Sequence, residues 1–232
     1  MKEREKQVKS RERVTQHGEV FTAEREVNAM LDLVKDETER IDSRFLEPAC
    51  GDGNFLAEIL RRKLSVVNKQ YGKNLPDYER YSILALSSIY GVDLLEDNIE
   101  DCRERLYDIW EKDYLKKVNG QINEDCMKSA KYILSKNILC GDALTMKKND
   151  GNPIIFAQWD FVIGGQIKRR DYRLDGLLID EDAKIVETNQ MSFSDIGQEW
   201  EFDEETKIKM PSPIKEYPLI DYRKVFEYEC FI

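Results

Sequence analysis

Apolar positions along the chain switch repeatedly between short runs and a three-to-four residue spacing. Val27, Met30, Leu31 and Val34 recur at i, i+3, i+4 and i+7, which predicts a helix opening near Thr22, Glu24 and Glu26. Phe45 to Glu47 reads as a strand, and Phe55, Leu56, Ile59, Leu60, Leu64 and Val67 form the apolar stripe of the next helix. Gly72, Asn74 and Pro76 break that pattern. A helix over about 77–88 leads into a second strand, Ile89-Tyr90-Gly91-Val92-Asp93. Ile99, Cys102, Leu106, Ile109 and Trp110 mark another helix, Asn119-Gly120 a polar link, and Ile133 and Leu134 the end of a further helical piece. Residues 137–140 read as a third strand and 159–163 as a fourth. Strands alternating with helices predict an α/β chain with a mostly parallel sheet and helices on both faces. Ligands of such sheets sit at the carboxyl ends of the strands.

The flanks differ in character. The stretch to about Arg13 is rich in charge and is expected to form a frayed or helical arm. Beyond the fourth strand, Leu174 to Ile179 and Lys184-Ile185-Val186 read as short strands. The acidic stretch from Glu199 to Glu205 reads as solvated. The segment from Met210-Pro211-Ser212-Pro213 to Pro218 reads as extended chain suited to lying along a surface or a partner.

Chemistry concentrates in Phe45-Leu46-Glu47-Pro48-Ala49-Cys50-Gly51-Asp52-Gly53-Asn54-Phe55-Leu56, a strand running through a glycine turn into a helix. Gly51 and Gly53 allow backbone angles and close approaches that a Cβ would block, and the N–H groups opening the helix face whatever lies above the strand. This is the form of a nucleotide-type cofactor site. The spacing is not the Gly-x-Gly-x-x-Gly of a dinucleotide site, because Leu56 occupies the sixth position from Gly51.

These residues resemble motif I of S-adenosylmethionine-dependent DNA methyltransferases of the adenine-N6 class, commonly Asp-Pro-Ala-Cys-Gly-Ser-Gly-x-Phe-Leu. The resemblance implies a Rossmann-like methyltransferase fold, S-adenosylmethionine as cofactor, and cofactor contacts from Glu47, Pro48, Ala49, Cys50, Gly51, Gly53 and Phe55. It also implies that Asp93, closing the second strand, accepts hydrogen bonds from the ribose hydroxyls, with Leu94 or Leu95 beside the adenine. Asp142 in Cys140-Gly141-Asp142-Ala143-Leu144 would accept from the adenine amino group, with Ala143 next to it. Upstream, His17-Gly18-Glu19-Val20-Phe21-Thr22-Ala23 is similar to the family's motif X, Gly-x-x-Phe-Thr-Pro, with Ala23 in place of proline. His17, Gly18, Phe21 and Thr22 are therefore expected near the methionine end of the cofactor. The order of these motifs matches the modification subunits of restriction-modification systems and covers roughly residues 13–164.

The chain departs from the family where transfer should occur. Family members end the fourth strand in Asn-Pro-Pro-Tyr or Asn-Pro-Pro-Phe, whose amide, carbonyl and ring hold the flipped base. Here Gly165, Gln166, Ile167 and Lys168 occupy that stretch, and Gln166 and Tyr172 sit at the wrong spacing to substitute. About sixty residues follow 170, too few for both the last strands of such a sheet and a target-recognition domain, so the fold is expected to be incomplete at its C-terminal end. The expected organisation is a helical arm with the motif X-like loop (1–40), a cofactor-binding core (41–170) and a C-terminal extension (171–232). The expected function is a methyltransferase-like, S-adenosylmethionine-binding protein impaired in catalysis. The alternatives are a scaffold or regulatory subunit acting through protein contacts, and a methyltransferase with a non-DNA substrate.

Composition bears on partners and place. Net charge is −10, so DNA would have to be met by a concentrated basic face or through a partner. The compact basic cluster is Lys168-Arg169-Arg170 with Arg173. A specificity or nuclease subunit, or a second copy of the chain, is the expected protein partner. Five cysteines without a Cys-x-x-Cys pair fit neither a disulfide framework nor a zinc site, and the single histidine argues against an imidazole metal site. Cys50 reads as a packed turn residue. No apolar run approaches the ~18 residues of a membrane helix, and the charged start lacks a signal-peptide pattern, so a cytoplasmic protein without membrane contact is expected.

Overall fold

Arg11–His17 (α1), Glu24–Asp32 (α2) and the single turn Lys35–Thr38 (α3) precede the first strand in the computed structural model. The structure describes residues 11–17, 22–162, 164–177, 200–202 and 209–231. Three short strands, Phe45–Glu47 (β1), Ile89–Asp93 (β2) and Ile138–Cys140 (β3), pair in parallel in the order β1-β2-β3. Phe45 lies opposite Ile89, and Val92 opposite Leu139. Asn54–Tyr71 (α4) and Leu75–Ser87 (α5) connect β1 to β2, while Glu96–Val118 (α6) and Glu124–Asn137 (α7) connect β2 to β3.

Local chemistry sets these boundaries. Asn74 Oδ1 accepts from the Asp77 N–H ahead of Pro76, and Asn123 Oδ1 accepts from the Asp125 and Cys126 N–H groups, capping α5 and α7. The α6 helix ends at Asn119, whose left-handed backbone is followed by Gly120. Residue 23, not Thr22, precedes α2, and no side chain caps it. That helix stops at Asp32, so only Val27 and Leu31 of its predicted stripe are buried, while Met30 and Val34 are exposed.

The sheet separates two apolar clusters. Ile89 and the helix side of Gly91 face α4: a Cβ on Gly91 would lie 2.9 Å from Leu56 Cδ1 and 3.0 Å from Cys50 Sγ, so glycine lets that layer close. Tyr90 and Val92 point the other way and pack with Ile154, Phe156 and Leu174. Among the helices, Trp110 stacks on Tyr114 with centroids 4.8 Å apart and donates to Ser82 Oγ at 3.1 Å, and Tyr78 donates to Asp113 at 2.7 Å.

The fourth strand departs from expectation. Ile155–Val162 (β4) does not join the parallel sheet; it forms an antiparallel hairpin with Gln166–Arg173 (β5), which also pairs with Lys215–Glu216 (β8) and Ile220–Asp221 (β9). It also runs against β1–β3. The Ile154 N–H reaches Met146 O, beyond the carboxyl end of β3, while Trp159 Nε1 donates to Asn137 Oδ1 and Arg44 pairs with Asp160, both at the amino ends. The link from Gly141 to Pro153 explains this reversal. It has no helix and folds on itself through the Asp142–Lys147 and Lys147–Pro153 bridges, so β4 starts where β3 stopped and returns. A parallel neighbour needs a longer crossover, usually a helix.

The consequences reach the chain's end. Leu174–Leu177 is a helical turn (α8) rather than a strand. Residues 178 and 179, the predicted strand at 184–186 and part of the acidic stretch lie outside the described residues. Trp200–Phe202 (β6) and Lys209–Pro211 (β7) make a separate antiparallel ribbon. The extended segment beyond it lies along β5, where Ile214 N–H reaches Asp171 O at 2.9 Å and Tyr217 N–H reaches Arg169 O at 3.0 Å. The closing 3-10 stretch Tyr222–Phe231, kinked at Lys224, packs on α7 and ties Glu229 to Lys136 at 2.9 Å. Among the described residues no helix is long and apolar enough to cross a membrane.

One buried cation braces the start of the sheet. Lys63 on α4 has no exposure, and its Nζ donates to Ile41 O, Ser43 O and Ser88 Oγ. Burial pulls its pKa down from 10.5 to about 7. Below about 7 folded and unfolded states both carry the proton, and the folded state bears the full cost. Between there and 10.5 the unfolded chain keeps a proton that the folded one has released, so stability rises with pH. Urea unfolding from pH 7 to 9 should show an upward slope of at most about 1.4 kcal/mol per pH unit from this group. That part disappears in Lys63→Met; an equal slope in the variant would rule the lysine out as its source.

Candidate functional site

A cavity of about 490 Å³ opens at the carboxyl ends of β1, β2 and β3. Its floor is the turn from Glu47 to Asp52. Gly51 and Gly53 both have positive φ, 52° and 87°, and the Gly53 N–H closes the turn on Cys50 O at 2.8 Å. The turn is held from two sides. Cys50 N–H donates to Val92 O at 2.9 Å, and Gly51 N–H donates to Asp93 Oδ2 at 3.0 Å. Asp93 Oδ1 accepts from the Leu95 N–H at 2.9 Å and from Asn98 Nδ2 at 3.1 Å. The carboxylate thus joins the glycine turn to the first turn of α6, with part of its acceptor capacity left toward the cavity.

Of the residues expected at a cofactor, the structure brings Thr22, Glu47, Pro48, Ala49, Cys50, Gly51, Phe55, Asp93, Leu94, Asp142 and Ala143 together around this cavity. Gly53 lies beneath the lining and packs on Cys102. His17 ends α1, but its side chain, together with Gly18 and Phe21, lies outside the described residues. Leu95, the other leucine expected beside the adenine, lines the cavity too, and Asp52, Asn54, Asn98, Gly141 and Leu144 also line it and were not anticipated. Asn54 carried a signal, since it starts the helix next to Gly53. Asn98 carried a weaker one, a polar residue one turn into the helix after Asp93. The Arg105–Asp52 ion pair at 2.7 Å, 53 positions apart, had none.

Electrostatics narrow what fits. Among the described residues the lining contains Glu47, Asp52, Asp93 and Asp142 and no lysine or arginine, with Asp52 paired from outside the lining by Arg105. Burial raises the Glu47 pKa, against a hydrogen bond from the Ala49 backbone. The Leu144 N–H holds Asp142 below the usual carboxylate range. Leu94 and Leu144 are 52% and 92% exposed and offer apolar surface at the rim. The Cys50 thiol is pushed far up by its hydrogen bond with Cys102 and by burial, so it stays protonated and serves packing. Such a cavity suits a ligand with positive charge, a flat apolar part and hydroxyl donors; a phosphate would be set among four carboxylates.

No family model, curated protein or solved structure matches this chain. The site therefore rests on its own geometry.

Two sequence expectations change here. Gly165, Gln166, Ile167 and Lys168 do not form a loop at the cavity, because β4 delivers its carboxyl end to the opposite end of the sheet. Gly165 sits in the hairpin turn against Tyr222, whose N–H reaches Gly165 O at 3.1 Å, and Gln166, Ile167 and Lys168 belong to β5. Tyr172 is a buried β5 residue. The basic cluster is also committed: Lys168 pairs with Glu216, Arg169 is buried against Asp171 and the Tyr217 ring, Arg170 bridges Asp160 and Glu216, and Arg173 pairs with Asp175. It does not present a free row of cations to phosphates.

Gly53 tests the turn directly. A Cβ there would lie 2.7 Å from Cys102 Sγ on a backbone at φ 87°, so Gly53→Ala should cost about 2 kcal/mol by urea unfolding. Combining it with Cys102→Ala should recover about 1 kcal/mol as a favourable coupling, the steric part alone. A variant as stable as the parent would contradict this packing.

Proposed function

We propose that this chain binds S-adenosylmethionine in the cavity above β1–β3, as a methyltransferase-like protein of the adenine-N6 DNA class that works with a partner. The observation that carries the reading is an acidic cavity, without a lysine or arginine among the described residues of its lining, built on a positive-φ glycine turn. A cationic nucleoside fits that charge pattern, whereas nicotinamide dinucleotides and nucleoside triphosphates bring phosphates.

The residues present fit such a group. Asp93 retains acceptor capacity for ribose hydroxyls, Asp142 for an exocyclic amine, and Glu47 faces the cavity from the end of β1 as a partner for an ammonium. Leu94 and Leu144 can flank a planar base. When bound, S-adenosylmethionine supplies an electrophilic methyl group on a cationic sulfur. Glu47 must be ionised to favour a cation, so affinity should fall as pH drops through its raised pKa.

The hairpin's direction favours a holding role for this chain over transfer by it alone. The stretch expected to polarise a target amine lies at the other end of the sheet. A partner subunit would then bring the acceptor groups, the DNA contacts, or both; the alternative is a regulatory subunit that reads the cofactor.

Asp93 is a poor test residue, because removing it also frees the glycine turn. Calorimetric titration with S-adenosylmethionine should give micromolar binding, with Glu47→Gln weaker by about tenfold, or ~1.4 kcal/mol. ATP and NAD should fail to compete. No binding at millimolar ligand by the folded chain, or equal competition by ATP, would overturn the reading.

A further inference from the structure

The amino-terminal helix touches the cavity through a continuous line of hydrogen bonds. Arg13 Nη2 on α1 donates to Asn98 Oδ1 at 3.0 Å, Asn98 Nδ2 donates to Asp93 Oδ1 at 3.1 Å, and Asp93 Oδ2 receives the Gly51 N–H at 3.0 Å. Four groups thus connect the arm to the glycine turn. The same guanidinium also pairs with Asp97, with Nη2 3.2 Å from Asp97 Oδ1. A second tether lies at residue 22, whose carbonyl accepts from Asn54 Nδ2 at 3.3 Å at the start of α4. Both tethers end on residues that line the cavity.

The middle member gives the line a direction. Asn98 is 1% exposed in the first turn of α6. An amide has a donating and an accepting end, and an ionised carboxylate only accepts. Asp93 therefore takes the Nδ2 end and turns Oδ1 outward, where a donor is required. Arg13 supplies it. Anything that shifts the Asp93 carboxylate moves the acceptor that Arg13 holds, because a buried amide has no water to take up the change.

We propose that Arg13 is a positioning residue that couples the docking of α1 to occupancy of the cavity through Asn98 and Asp93. A ligand that engages Asp93 steadies the relay and tightens the arm, and the docked arm in turn tightens the ligand. The two effects are equal by linkage. The ligand named in the test rests on the preceding proposal; the relay itself rests on the hydrogen bonds.

Hydrogen exchange of the α1 amides, with and without saturating S-adenosylmethionine, tests the coupling in the full chain. In the parent protein the ligand should slow α1 exchange about tenfold. Arg13→Gln, on the arm and outside the core, should bring that ratio to about one and weaken ligand binding by a matching factor, while Arg13→Lys restores part of both. Asn98→Ala should also abolish the ratio. Asp97→Asn removes the ion pair but leaves the relay, so α1 should exchange faster in both states with the ratio kept. A ratio unchanged in Arg13→Gln, or lost equally in Asp97→Asn, overturns the relay and leaves a simple tether. If the parent protein does not bind S-adenosylmethionine, the ligand reading fails separately. Asp93→Asn, two hydrogen bonds along the relay from Arg13, then decides on the free chain against Gly53→Ala, which disturbs the glycine turn without touching the relay: α1 exchange several-fold faster than in Gly53→Ala supports the relay, and exchange no faster than in that control overturns it.

Discussion

The carboxylate of Asp93 is the constraint on which the candidate site depends. It stands at the end of β2, the central strand of the parallel sheet, and takes donors from the glycine turn after β1, from the backbone opening α6 and from Asn98. Backbone N–H groups at such a turn have no partner within their own elements. One carboxylate satisfies two such groups, on Gly51 and Leu95, and joins the approaches to two helices. The glycines make the arrangement sterically feasible: Gly91 lets α4 and the turn lie against β2, and Gly53 clears Cys102. The floor of the cavity is therefore a shared product of β1, β2 and α6 rather than a property of one loop.

The second organising fact is the return of the chain after β3. A link of about fourteen residues that folds on itself at the carboxyl end cannot carry the chain back to start another parallel strand, so β4 and β5 form a hairpin laid across the exposed face. That hairpin fills the space over Tyr90 and Val92 with Ile154, Phe156 and Leu174. It also sends the residues that follow β4 away from the cavity. The cavity and the stretch that follows β4 thus lie at opposite ends of this sheet, which is why the proposed function assigns ligand holding to this chain and the remaining groups to a partner.

The α/β alternation, β2 at Ile89–Asp93 and the glycine turn after β1 were legible in the sequence, because apolar periodicity and glycine spacing are local properties. So were most of the cavity's lining residues, since they follow strand ends directly. The pairing of Arg105 with Asp52, the relay from Arg13 and the commitment of Arg169 to Asp171 and three aromatic rings were not legible, because each joins residues through a register that only packing defines. Likewise, the basic run at 168–170 looked available along the chain; in the fold, alternate residues of a strand face opposite sides, and each side brought its own carboxylate.

The sequence by itself determined the alternating strands and helices from β1 to β3 and which turn carries the glycines, because backbone sterics and the two hydrophobic periods act within a few residues. Only the tertiary structure decided that β4 runs antiparallel to its expected direction, that Gly165 to Lys168 lie far from the cavity, and that Asp93 serves as a clamp. Those outcomes depend on whether a short link can cross a sheet and on which distant donors converge on one carboxylate. Neither is encoded in the spacing of neighbouring residues.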